Sequence, residues 1–189
     1  MAARSGERRL QILQTLASML ESPKSEKVTT AALAAKLDVS EAALYRHFAS
    51  KAQMYEGLIE FIETTLFSFI NRLTGETTDG VAQAEQTVVM LLSFAEKNPG
   101  MTRVLIGEAL VNEDERLQAR INQLTDRLEA AMRQSLRIAQ AANGWHGDAQ
   151  ADAAVLLAYV LGRWHLFAKS GFKLRPQDGW ALQRKFLFG

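Results

Sequence analysis

The 189-residue chain contains no cysteine. That excludes disulfides, a thiolate nucleophile and cysteine-ligated zinc, and it fits a reducing cytosol. It has only three prolines, and no segment alternates apolar and polar residues as a half-buried strand does. An all-α fold is expected. No run reaches the roughly 18 uninterrupted apolar residues of a membrane span; "AAVLLAYVLGRWHLFA" is broken by Arg163 and His165. The first residues hold no apolar stretch of the signal-peptide kind. Catalytic signatures are missing too: there is no glycine-rich phosphate loop, no HExxH and no GxSxG. His47, His146 and His165 lie far apart in sequence. No enzyme, no cofactor and no metal site is expected.

Charge is unevenly spread. The chain carries a net +1, but residues 1–53 hold eight basic and five acidic side chains, a net of +3, which leaves −2 for the remainder. A basic head on an acidic body suits nucleic acid at the head. Apolar periodicity predicts helices over 7–21, 30–37, 40–47, 50–73, 81–97, 101–111, 113–142, 149–171 and 178–187. Breaks fall at "SPKSEK", "TGETTDG", "NPG", "NGWHGD" and "GFKLRPQDG", all turn-forming chemistry. Two domains are expected: a head over 1–53 and a helical body over 54–189. Leu117, Ile121, Leu124, Leu128, Ala131, Ser135 and Ile138 alternate four and three apart, as in a coiled-coil-like seam or a long helix inside a bundle.

The head reads as a helix-turn-helix. Thr30 is placed to cap a first helix ending at Leu37. Asp38 tolerates the left-handed conformation a tight turn needs. Ser40 caps the second helix. Leu44 and Phe48 face back onto Leu33, Leu37 and Val39, and Ala34 and Ala35 let the helices approach. Glu41, Ala42, Tyr45 and Arg46 then point outward with Ser40, where a second helix enters a major groove. Tyr45 can donate to a phosphate, and Arg46 can pair with a phosphate or with guanine. His47 is a partly packed histidine or a phosphate donor. Lys51 opens the next helix, where a cation opposes the dipole, so a phosphate meeting both the lysine and the helix amides explains it. The same side chains also suit an ordinary solvated face.

"TTAALAAKLDVSEAALYRHFASK" resembles the N-terminal domain of TetR-type regulators. The resemblance implies an all-helical fold, duplex DNA at the head, with Thr29 and Thr30 joining the contact set, and a homodimer formed by the last two long helices. "LIEFIE", "EKNPGMTRVL", "RLQARINQL" and "FKLRPQD" extend the likeness, along nearly the whole chain, to the SlmA group of nucleoid occlusion factors. That likeness implies palindromic chromosomal sites, a nucleoid-associated cytoplasmic location, and antagonism of the tubulin-like division protein FtsZ. It carries partner-contact positions onto Phe61, Met90, Ser93 and Lys97. One further position, usually arginine in that group, is Phe69 here.

Helical geometry gives a separate view of these faces. At about 100° per residue, Leu58, Ile59, Ile62, Leu66, Phe69, Ile70 and Leu73 share one core arc, with Phe61 at its edge and Phe67 on the polar side. Gln83, Gln86, Met90, Ser93 and Lys97 share one polar stripe. "AAVLLAYVLGRWHLF" carries more apolar surface than one neighbouring helix covers, and Ala158 and Gly162 permit close approach. Leu157, Ala158, Leu161 and Gly162 are therefore assigned to the dimer interface. The alternative function is a repressor released by a small molecule, with Tyr159, Arg163, Trp164 and His165 lining its pocket.

Overall fold

The computed structural model describes residues 2–22 and 28–189. The expected "SPKSEK" break falls almost entirely on 23–27, outside the described residues. The described elements are α1 (Ala2–Met19), α2 (Thr30–Lys36), α3 (Glu41–Tyr45), α4 (Lys51–Glu76), α5 (Gly80–Lys97), α6 (Pro99–Leu105), a 3-10 turn (Glu108–Leu110), α7 (Glu115–Ala141), α8 (Ala149–Lys169) and α9 (Trp180–Phe188). The fold is all-α, with no strand among the described residues.

The chain forms two compact units: Met1–Ile62 with Asn98–Ile121, and Glu63–Lys97 with Asn122–Gly189. In the first, Ile12 and Leu16 of α1 and Leu20 just after it are buried with Leu33, Leu44, Phe48, Leu58 and Val104. Gly100 lies so close to α1 that a Cβ there would stand 1.9 Å from the Ala17 carbonyl oxygen. Glycine is therefore required where α6 crosses α1. Arg103, at the end of α6, is buried and donates to the carbonyls of Leu20 (3.1 Å) and Ser22 (2.7 Å). It thereby satisfies acceptors at the C-terminal end of α1. A single helix over 101–111 is not formed. Gly107 adopts φ 77°, which ends α6 and starts the 3-10 turn.

In the second unit, α5 packs on α8. Trp164 is fully buried and donates from Nε1 to the Leu91 carbonyl (3.1 Å). Tyr159 ties α8 to α9 by donating to Gln183 Oε1 (2.6 Å). Arg163 donates to the carbonyls of Arg175, Pro176 and Asp178, fixing the connection between those helices. Among the described residues, α8 alone is long and apolar enough to cross a membrane. Its apolar content serves a core, through Leu156, Val160, Trp164 and Phe167.

Burial corrects four helical-face expectations. On α7 the buried line runs Leu117, Ile121, Leu124, Leu128, Met132, Ser135, Leu136 and Ala139. It drifts off the heptad at Met132, as a straight 3.6-residue helix does, so α7 is a packed helix with no sustained coiled-coil seam. Phe69 is not core: it is 37% exposed, with the Arg72 guanidinium 5.2 Å from its ring. Phe67, expected on the polar side, is half-buried under Arg127 at 4.0 Å. Gln83 leaves the polar stripe altogether. It is buried, and its amide donates to the carbonyls of Thr74 and Thr77.

Candidate nucleic-acid interface

The geometry of the head starts from its caps. Thr29, not Thr30, caps α2: its Oγ1 accepts from the Ala32 amide (3.1 Å). Thr30 is the first helical residue, and its hydroxyl donates to Glu41 Oε2 (2.5 Å), tying the start of α2 to the start of α3. The turn between them carries Asp38 at φ 54°, as the tolerance of Asp for that conformation predicts. Ser40 caps α3 by accepting from Ala43 N (3.3 Å). A capping box opens α4: Ser50 Oγ accepts from Gln53 N (3.1 Å), while Gln53 Oε1 accepts from Ala49 N (2.9 Å). Three helix starts are thus fixed by side chains within twenty-five residues.

The apolar side of this framework is Leu33, Ala34, Leu44 and Phe48, all buried, with Leu37 and Val39 half-buried. Arg9 secures it from α1, donating to the His47 carbonyl (2.5 Å) with its guanidinium 4.2 Å from the Phe48 ring. His47 is half-buried. Left outside are Thr29, Ser40, Glu41, Ala42, Tyr45 and Arg46, all exposed, with Tyr45 at 45%. Thr30 is half-buried. Tyr45 and Arg46 project from the end of a short, doubly anchored helix, as phosphate and base-edge contact requires.

Lys51 stands apart from this set. Its ammonium meets Glu113 Oε1 at 2.5 Å, with the two side chains 22% and 11% exposed. It also lies 5.6 Å from the Tyr55 ring centre. Burial, and then the Glu113 carboxylate, push the Tyr55 hydroxyl above its ordinary range. A cation at this helix start therefore has a protein partner. Sequence reasoning missed both Arg9 and Glu113. They lie 38 and 62 residues from their partners, and no local spacing signals such pairs.

Of the other assigned positions, Phe61 is 38% exposed, Met90 and Ser93 are half-buried, and Lys97 is exposed. Ala158 and Gly162 are exposed, and a Cβ on Gly162 would meet nothing within 4 Å. Leu161 is half-buried, while Leu157 is buried within the chain itself. Val155 and Leu166, spaced with Ala158 and Gly162 along one face of α8, are exposed apolar side chains, and so are Leu182 and Phe186 on α9, the last 90% exposed. Tyr159, Arg163, Trp164 and His165 do not line one pocket. The first three are engaged as described above, and His165 is exposed.

Comparison with known proteins bears on both units. Residues 25–58 match the family described as "Bacterial regulatory proteins, tetR family". Residues 78–189 match the SlmA-like family described as "Tetracyclin repressor-like, C-terminal domain". The nucleoid occlusion factor SlmA of Alteromonas mediterranea is 48% identical, over 94% of this chain and 92% of that protein. SlmA of Vibrio cholerae is 50% identical over 93% of each. Two solved structures share the fold. One is the transcriptional regulator FadR from Bacillus subtilis in complex with stearoyl-CoA, with TM-score 0.77, 11% identity, and 95% and 97% of the two chains covered. The other is a transcriptional regulator from Cytophaga hutchinsonii, with TM-score 0.66, 14% identity, and 94% and 95% covered.

Proposed function

Because the chain belongs to the SlmA family of nucleoid occlusion factors, within the TetR-type regulators, we propose that it binds palindromic chromosomal DNA as a homodimer and, on that DNA, antagonises FtsZ assembly over the nucleoid. The observation that carries the DNA part is the double anchoring of α3. Ser40 caps it, Thr30 holds Glu41, and Tyr45 and Arg46 are exposed at its end. Residues 1–53 act as the DNA-binding head and 54–189 as the body for dimerisation and partner contact. Two recognition helices in a dimer reach successive major grooves when they stand about 34 Å apart.

The dimer uses α8 and α9, where Val155, Leu166, Leu182 and Phe186 are exposed along with Ala158 and Gly162. Phe61 on α4 and the Met90, Ser93 and Lys97 line on α5 contact the division protein. A protein of this kind works in the cytoplasm, on the nucleoid. The test is sedimentation of FtsZ polymer with this protein, with and without DNA fragments that the protein itself selects from genomic DNA. The expected result is less pelleted polymer when both protein and selected DNA are present. An unchanged pellet in all conditions removes the division role and leaves a DNA-binding regulator.

A further inference from the structure

The Lys51–Glu113 pair raises a question that the DNA-binding reading leaves open. A phosphate approaching the start of α4 meets an ammonium already matched by a carboxylate at 2.5 Å. That carboxylate is firmly held. Glu113 N donates to the Leu110 carbonyl (2.9 Å), and Asn112 before it takes φ 66°. After it, Asp114 accepts from Arg116 N, and Arg116 pairs with Glu56 of α4 at 3.0 Å. The loop is therefore closed on itself before Glu113 and tied to α4 after it, and this keeps the carboxylate beside Lys51. A fixed anion here cancels the field of Lys51 outside the protein and repels the incoming phosphate.

We propose that Glu113 is a positioning residue of the DNA site that withholds the Lys51 charge from the phosphate backbone, holding affinity below what the head could reach and making its salt dependence shallower. This rests on the reading that the head binds duplex DNA. Glu113 sits on the connection into α7, outside the helix-turn-helix but within the same compact unit, so a residue far along the chain sets how many cations the head presents.

The test measures the affinity of the full-length protein for its selected duplex by fluorescence anisotropy across a potassium chloride series. Glu113→Gln is expected to bind several-fold more tightly, with a log–log salt slope steeper by about 1.8, the value for two added phosphate contacts, one per protomer of the dimer. Glu113→Asp should restore wild-type behaviour. In a Lys51→Met background, adding Glu113→Gln relieves only the repulsion of an unmatched carboxylate, so affinity should rise but the salt slope should not steepen, since no cation is uncovered. A slope unchanged in Glu113→Gln, weaker binding by that variant at an unchanged melting temperature, or a slope that steepens equally without Lys51 would each overturn the proposal. Should Glu113→Gln not fold, the Glu113 carboxyl carbon resonance of the wild type decides. It should stay near its free-protein position on adding DNA, and a shift to that of an unpaired carboxylate, showing that Lys51 leaves Glu113 for the DNA, overturns the proposal. If the Lys51→Met, Glu113→Gln double variant keeps the affinity and slope of Glu113→Gln alone while Tyr45→Ala weakens binding, this inference falls and the DNA reading stands. If Tyr45→Ala also binds normally, the DNA reading falls.

Discussion

The outer side of the head and the outer side of α8 and α9 are both exposed, but they are exposed in opposite ways. On the helix-turn-helix, Leu33, Leu44 and Phe48 are turned inward and the outside carries Thr29, Ser40, Tyr45 and Arg46 beside Glu41. The hydroxyl and guanidinium groups lose little by facing water and gain when a charged backbone replaces it. On α8 and α9, the outside carries Val155, Leu166, Leu182 and Phe186. A patch of that kind on an isolated chain marks a protein contact. Gly162, with open space where a side chain would stand, suits a second helix in close contact. The difference teaches that exposure alone says little; the chemistry of what is exposed selects a polyanion in one place and another protein surface in the other.

The strongest way to break the comparison is to charge the apolar patch. Phe186→Glu with Leu182→Glu should convert a dimer into a monomer, as seen by analytical ultracentrifugation. Losing a buried interface anchor costs about 2 kcal/mol or more. DNA affinity should fall with dimerisation, since both half-sites are needed for avidity. A dimer that survives both changes places the interface elsewhere. Leu157 is a poor choice for this test. It is only 8% exposed within the chain, so a charge there attacks the core of the second unit, where an unpaired buried charge is strongly destabilising.

A third kind of surface sharpens the contrast. Phe61→Ala, Met90→Glu and Lys97→Asp alter neither the capped α3 nor the α8–α9 patch. Each should leave DNA affinity near wild type; the melting temperature should hold for Phe61→Ala and Lys97→Asp, because changes at exposed sites usually stay within about 0.5 kcal/mol, and should fall modestly for Met90→Glu, whose site is half-buried. Each should weaken FtsZ binding, by about 2 kcal/mol where the residue sits in an interface centre. The Lys97→Asp effect should shrink at high salt, as a charge contact with an acidic partner does. Wild-type FtsZ binding by all three variants, measured by co-sedimentation, would remove this surface.

On the head, Tyr45→Ala should cost about 1.5 kcal/mol of DNA affinity, roughly tenfold, the worth of one hydrogen bond to a charged acceptor. Melting temperature should not move, since the Tyr45 side chain is 45% exposed. Unchanged affinity in an anisotropy titration would take Tyr45 out of the site.

What the sequence could disclose follows from range. Local physics gave the left-handed Asp38, the Ser40 cap and the buried Leu33, Leu44 and Phe48, because each depends on residues within a turn or two. The cap of α2 was misplaced by one residue because Thr29 and Thr30 have the same capping chemistry, and only the backbone at Thr29, extended at φ −103°, separates them. The break at Gly107 was open to inspection, since a glycine inside an apolar run is a known stop. Phe69 and Gln83 were misread for a different reason. A helical wheel knows direction but not which neighbour stands there, and an arginine can cover an aromatic ring just as a helix terminus can bury an amide. Lys51–Glu113 and Arg9–His47 join residues far apart in the chain, so nothing in either local segment announces them.

The smallest expected effect separates two jobs that one residue performs. Ser40 caps α3 and also faces outward, so Ser40→Ala mixes a folding effect with a binding effect. Losing the cap should cost about 1 kcal/mol of stability, read as a lower melting temperature, and some affinity would follow because α3 is only five residues long. Ser40→Asp keeps the cap, since aspartate accepts from the helix amides as well as serine does, and its charge suits the helix dipole. Stability should stay at or slightly above wild type. The same carboxylate faces any phosphate beside α3 and repels it, so affinity should fall further than in Ser40→Ala despite the better-kept helix. If Ser40→Asp instead binds DNA as tightly as wild type, no phosphate lies near the start of α3, and its N-terminal end does not face the DNA backbone.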